Sequence, residues 1–164
     1  MLRTWLPLAA LALLGACAHP WHSVNVAAGA TRDQVIAQSG PPARVVELPG
    51  GGQRLQYTLQ PLGHYAFMVD LDPAGRVVRS RQVLTEAEFH RIQPDRWTRA
   101  DVEREFGPPA MLEGVGNFAG TVMTYRWRDI ANSNMFYHVY VDPQGVVRRA
   151  HPAIEHVNSP NDRW

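Results

Sequence analysis

The feature that most limits the fold of this chain is an internal repeat. The segment 31–43 is matched 67 residues later by 98–110, where Thr, Arg, Val, Gly, two prolines and Ala recur at equivalent positions. Further along, the turn sequence Asp-Pro-Ala-Gly at 72–75 is matched, at a spacing of 70, by Asp-Pro-Gln-Gly at 142–145. Self-similarity at a nearly constant spacing indicates repeated structural units. The sequence therefore predicts two related units in tandem.

Each unit is predicted to begin with a short helix. Thr31 is a favourable N-cap, and Gln34 three residues later completes a capping box. Gly40, followed by proline, is a typical helix end. Thr98 and Gly107 occupy the equivalent places in the second unit. A second capping signal at Thr85, three residues before a glutamate, predicts one more helix ahead of the second unit.

After each helix the hydrophobic period changes from that of a helix to that of a strand. Apolar and polar residues alternate over 54–60 and again over 123–128, which is typical of half-buried strands. Tight turns separate these segments from further strands. The predicted class is α+β: two tandem repeats, each with one or two short helices packed on a three- to four-stranded antiparallel sheet. Helices are needed because one face of each sheet must be covered.

The first seventeen residues predict the compartment. Arg3 precedes an apolar run over 6–14, which is shorter than the roughly 20 residues of a membrane-spanning helix and is typical of a secretory signal. The run ends Leu-Gly-Ala-Cys, with the chain's single cysteine at Cys17. This resembles the cleavage box of bacterial lipoproteins, and the resemblance implies lipidation of Cys17. Ala18 after it resembles an outer-membrane address. The alternative is an ordinary secretory signal with a chance cysteine.

Five segments are predicted along the 164 residues. They are a signal peptide over 1–16, a tether over 17–28, a first repeat over 29–84, a second repeat over 85–149 and a flexible tail over 150–164. The tail is predicted because it has two proline-containing dipeptides and few apolar residues.

Composition excludes several kinds of function. Without the signal, fifteen arginines oppose fifteen acidic residues and there is no lysine, so a basic surface for nucleic acid is not expected. A single cysteine excludes an internal disulfide. The seven histidines lack the spacing of a zinc site and are expected to be solvated. No nucleophile elbow or phosphate-binding loop is present, so neither a cofactor nor enzymatic activity is expected.

One surface of the second repeat has the composition of a protein interface. Phe136, His138 and Tyr140 alternate with the predicted core residues of their strand, and Arg126, Trp127 and Arg128 lie on the preceding one. Aromatic and arginine side chains are favoured at interfaces. The predicted partner surface is Arg126, Trp127, Arg128, Phe136 and Tyr140. Two alternatives remain: the aromatic residues pack under a helix or the other repeat, or the arginines meet anionic lipid head groups.

The helix start at 29–35, the Gly-Pro-Pro end at 40–42 and the turn at 72–78 together resemble the SmpA/OmlA (BamE-like) lipoprotein family. The chain departs from the family's best-known member in carrying two such units, and Ala30 stands where that family usually has methionine. The doubled arrangement is also similar to that of the β-lactamase inhibitory proteins.

The family resemblance implies an outer-membrane lipoprotein that faces the periplasm and assists β-barrel assembly or envelope integrity. Its expected contacts are the membrane, through Cys17, and envelope proteins, the β-barrel assembly complex among them. The alternatives are an inhibitor that binds an enzyme through the sheet face and, less well supported by motifs, a small enzyme.

Overall fold

The computed structural model describes Val24 and residues 26–156. Each half has a helix followed by four antiparallel strands that pair in chain order, and one short helix lies between the halves. The α+β class is confirmed. The helices are α1 (Arg32–Ser39), α2 (Glu86–Phe89) and α3 (Arg99–Phe106); the strands are β1 (Arg44–Glu47), β2 (Gln53–Thr58), β3 (Ala66–Leu71), β4 (Val77–Gln82), β5 (Met111–Val115), β6 (Phe118–Arg128), β7 (Asn134–Val141) and β8 (Val147–Ile154).

Both long helices begin and end as the sequence predicts. The Thr31 hydroxyl accepts a hydrogen bond from the Gln34 backbone N–H at 3.3 Å, and the Gln34 side chain accepts from the Thr31 N–H at 2.8 Å. Thr98 and Asp101 form the same reciprocal pair at 3.2 and 2.8 Å. Each helix ends at a glycine with positive φ, 76° at Gly40 and 80° at the residue following α3, a conformation that favours glycine.

Equivalent contacts recur in the two halves. The Tyr57 hydroxyl donates to the carbonyl of Gly40 at 3.0 Å, and the Tyr125 hydroxyl donates to the carbonyl of Gly107 at 2.9 Å. In each half the residue before the helix also forms an isolated bridge to the start of the last strand. In each half a tyrosine of the second strand therefore ties that strand to the end of the helix in the same half.

The layers follow one another in the order α1, first sheet, α2 with α3, and second sheet. The α1 side of the first sheet carries one apolar cluster, formed with the segment that leads into the helix; its buried members are Val24, Val26, Val35, Leu55, Val69, Leu71 and Val77. A second cluster lies between α2, α3 and the two sheets; it includes Ala66, Met68, Phe89, Val102, Phe106, Met123, Tyr125, Trp127, Tyr137 and Val139.

The central strands of the first sheet, β2 and β3, are consequently buried on both faces, although the alternation over 54–60 predicts one solvated face. Gln56 and Met68 are 0% exposed on the side away from α1. The C-terminal turn of α3 covers them, and the Gln56 amide donates to the carbonyls of Glu103 and Arg104 at 2.9 and 3.0 Å. The Glu103 carbonyl also accepts from the Gly107 N–H at 2.9 Å, whereas the Arg104 carbonyl would be met by Pro108, which has no N–H. A polar side chain of the first half therefore helps to cap the end of α3.

Buried ion pairs accompany this contact. Arg54 is 4% exposed, and its guanidinium donates to both carboxylate oxygens of Asp70 at 2.6 and 3.0 Å. It also lies 2.9 Å from a carboxylate oxygen of Glu105 on α3. Burial acts to raise the pKa of Glu105, but the charge of Arg54 and hydrogen bonds from Arg54 and Arg81 outweigh it and lower that pKa. The two halves are thus joined by buried charges as well as by apolar packing.

The predicted boundaries of the tail and of the tether differ from those in the structure. Strand β8 continues to Ile154, so residues 150–154 belong to the sheet rather than to a tail. Pro152 is accommodated because β8 is an edge strand, where one N–H needs no partner. Val24 and Val26, placed in the tether, are 3% and 8% exposed and pack on the first sheet. The signal, Cys17 and residues 157–164 lie outside the described residues.

Candidate functional site

One face of the second sheet packs against α2 and α3, and the opposite face is directed away from them. Met123, Tyr125 and Val139 point toward those helices and are 0% exposed, and the alternation of the strands therefore directs Phe136 and Tyr140 to the opposite side. Both are half-buried. We call the following residues the outer face: Phe118, Arg126, Arg128, Phe136, His138, Tyr140, Arg149 and His151. Among the described elements, all three helices lie elsewhere, so neither a helix nor the first sheet covers Phe136 and Tyr140.

A continuous row of rings crosses this face. Consecutive ring centroids, in the order Phe136, His138, His151, Tyr140 and Phe118, are 5.8, 5.6, 5.4 and 5.4 Å apart. The Arg149 guanidinium carbon lies 3.7 Å from the centroid of the Tyr140 ring, which is within the range of a cation–π interaction. The register explains the row, because His138 pairs with His151 and Tyr140 with Arg149 in adjacent strands.

His138 lies in the row between Phe136 and His151. Its Nδ1 lies 2.9 Å from the hydroxyl of Thr124, which is 0% exposed. Partial burial, and then the neighbouring His151, lower the pKa of His138, while Glu113 on β5 acts in the opposite direction. Protonation of His138 is therefore disfavoured until an additional negative charge approaches the face.

Arg126 is held by groups from the first half. Its guanidinium donates to the carbonyls of Pro61 and Leu62 at 3.3 and 3.2 Å, and it forms an ion pair with Glu155. The Gln60 side chain bonds both the N–H and the carbonyl of the Arg126 backbone, at 3.2 and 2.8 Å. Arg126 is consequently a link between the halves, and its charge is matched by Glu155.

Trp127 and Arg128, which also belong to the predicted partner surface, lie in different environments. Trp127 is 3% exposed and donates its indole N–H to the carbonyl of Phe136 at 3.2 Å, so it belongs to the core and offers no side chain to a partner. Its place follows from the alternation that the sequence already shows. Arg128 lies on the outer face and donates to Asn132 at 2.9 Å.

The sequence does not single out Phe118, Arg149 and His151, which the structure adds to the outer face. These residues lie on different strands from Tyr140, and only the register brings them against its ring. The sequence signal that could have identified them is their residue type, since two carry rings and one is an arginine on strands next to β7.

The described residues hold no group of three or more His, Cys, Asp or Glu arranged for a metal ion. His64 instead lies 3.2 Å from a carboxylate oxygen of Glu155. Among the helices of the described residues, none is long and apolar enough to cross a membrane.

A cleft of about 200 Å³ opens on the α1 side of the first sheet. Its lining is mostly apolar and includes Val24, Pro41, Tyr57, Leu59 and Phe67. Its polar side chains are Ser39, Tyr57 and Thr58, and the Tyr57 hydroxyl is already bonded to Gly40. No charged side chain lines the described cleft to orient a small ligand. The outer face offers more groups that a partner could contact, namely aromatic rings, imidazoles and guanidinium groups.

No family model matches the chain, and no curated protein matches it. Among solved structures, it is similar to a DUF4309-family protein (YjgB) from Bacillus subtilis, with 14% identity and a TM-score of 0.33 over 77% of this chain and 79% of the other. It is also similar to an extracellular SCP-domain protein from Bacillus anthracis, with 11% identity and a TM-score of 0.30 over 78% of this chain. The match covers only 44% of that second protein. Neither belongs to the SmpA/OmlA family, so that resemblance stays a prediction.

Proposed function

We propose that this protein is an outer-membrane-anchored periplasmic lipoprotein whose globular part is a protein-binding or scaffold module. The anchor rests on the cleavage-box motif at Cys17, and the role in β-barrel assembly or envelope integrity rests on the sequence resemblance. The observation that carries the binding function is the row of rings on the outer face, with Arg149 stacked on Tyr140.

The composition of the outer face supports a protein partner. Aromatic and arginine side chains contribute most of the binding energy at many interfaces. On the outer face Tyr140 and Arg149 are paired across adjacent strands and stack on each other, so less side-chain freedom remains to be lost on binding. Phe136 and Tyr140 are half-buried, which leaves part of each ring for contact.

We also propose that the two halves are copies of one structural unit. At the spacing of 70, Met68 and Asp70 of the first sheet correspond to His138 and Tyr140 of the second. The first pair is buried against the second half, whereas the second pair is partly exposed. The same face thus holds the two units together in one copy and is open to a partner in the other.

The experiment places a photoreactive phenylalanine analogue at Tyr140 in the full acylated chain and irradiates intact envelopes. Position 79 is the matched control, because exposed Arg79 on β4 corresponds to Arg149 at the spacing of 70. We expect crosslinks from position 140 to β-barrel assembly components, with little from position 79. Crosslinks to a soluble periplasmic enzyme would support an inhibitor instead. Equal or absent crosslinking at both positions would contradict the binding function.

A further inference from the structure

The cationic and aromatic side chains of the outer face indicate which kind of partner it binds. This step rests on the proposed binding function. The geometry points to an acidic polypeptide segment with an apolar side chain as the occupant, held by Arg149 and the ring row, with tighter binding when His138 is protonated.

The charges of the face favour an acidic partner. Arg128 bonds an amide and Arg149 stacks on a ring, and within the described part of the chain neither forms an ion pair with a carboxylate. Arg126 is already neutralised by Glu155. The acidic side chain identified as acting on His138 is the exposed Glu113. A carboxylate brought by a partner would therefore find cations available for bidentate pairing.

The imidazoles add a dependence on pH. The ring centroids of His138 and His151 are 5.6 Å apart, and this neighbour disfavours the protonated form of His138. His138 faces Thr124 on β6, His151 on β8 and Glu113 on β5, and His151 also faces the Tyr140 hydroxyl at 3.4 Å. A partner's carboxylate placed above His138 would favour its protonated form. Binding is consequently coupled to proton uptake.

The rings supply the apolar part of the recognition. Phe118 meets Tyr140 edge to face at 86°, and Phe136 lies at the other end of the row beside His138. An apolar side chain of the partner can lie on these rings while its carboxylates meet Arg149 and the imidazoles. This arrangement differs from simple attraction to a charged surface, because it requires both chemistries in one segment.

The test uses the full-length chain in neutral detergent and a short fluorescent peptide with glutamates around one phenylalanine. Matched peptides carry glutamine or lysine in place of glutamate. We expect the acidic peptide to bind most tightly, and its affinity to rise about three- to tenfold from about pH 8 to about pH 5.5, across the range in which histidine titrates.

Three variants assign the effect to the outer face. Arg149→Ala should weaken binding of the acidic peptide at both pH values. The double variant His138→Gln with His151→Gln should retain binding and lose the pH dependence. Arg79→Ala, an exposed arginine on β4, should bind as the parent does. Circular dichroism checks that each variant is folded.

The proposal is overturned if the glutamine or lysine peptide binds as tightly as the acidic one, or if the affinity is the same at both pH values. It is also overturned if Arg149→Ala leaves peptide binding unchanged, or if phosphatidylglycerol binds through Arg149 while the acidic peptide does not. If position 140 crosslinks to a protein but the peptides fail these tests, only the acidic, pH-sensitive specificity is lost. Peptide binding without any crosslink would instead count against the proposed cellular function.

Discussion

Arg54 shows how a single side chain can join two halves of a molecule. In the sequence it occupies the polar position of an alternating strand, where a solvated side chain is expected. In the structure it is 4% exposed and contacts Asp70 of its own sheet and Glu105 of α3. Its guanidinium also donates to the carbonyl of Arg104 at 3.0 Å, near the negative end of the helix.

Replacing Arg54 by alanine is expected to lower the free energy of unfolding by about 3–5 kcal/mol, because two buried carboxylates lose their main partner. Urea unfolding, followed by tryptophan fluorescence, measures the change. Arg79→Ala removes an exposed arginine from the same sheet and should cost less than about 0.5 kcal/mol. Equal effects of the two substitutions would show that the buried pairs are not the cause.

At the level of elements, the helices are the best-predicted parts of the fold. Their starts depend on contacts between residues three apart, such as Thr98 with Asp101, and these are visible in the sequence. Strand β8 is predicted less well, because its pairing with β7 depends on distant residues. The proline at 152 looks like a break, yet the edge of a sheet accommodates it.

Thr98→Ala is expected to lower the free energy of unfolding by about 1 kcal/mol, because the hydroxyl that accepts from the Asp101 N–H is lost. Thr98→Ser keeps that oxygen and should lose much less. Thr31→Ala tests the equivalent cap in the first half and should cost a similar amount. A Thr98→Ser variant as unstable as Thr98→Ala would rule out capping as the reason.

At the level of the whole molecule, one sheet is enclosed and the other keeps an open face. Strands β2 and β3 of the first sheet lie between α1 on one side and α2 and α3 on the other, and so both of their faces are buried. The outer face of the second sheet is open within the described residues. An anchor at Cys17 would hold this open face within reach of envelope proteins.

If Cys17 carries the proposed lipid, Cys17→Ser is expected to move the protein from the membrane to the soluble periplasmic fraction, because the lipid chains would supply the membrane affinity. Fractionation of the envelope with immunoblotting measures the distribution. Ser23→Ala, a small change in the same segment, should leave the protein in the membrane. A membrane-bound Cys17→Ser variant would show that something other than the lipid holds it there.

The sequence by itself predicted the helix caps, the turns, the inward side of most strands and an antiparallel sheet of three to four strands in each half, because these depend on neighbours a few residues apart. It also predicted an outward position for Phe136 and Tyr140. Only the tertiary structure decided that Gln56 and Arg54 cap α3, and that Arg149 and His151 lie against Tyr140 on the outer face. The reason is physical: alternation shows which side of a strand a residue occupies, but what covers that side depends on packing between segments far apart in the chain.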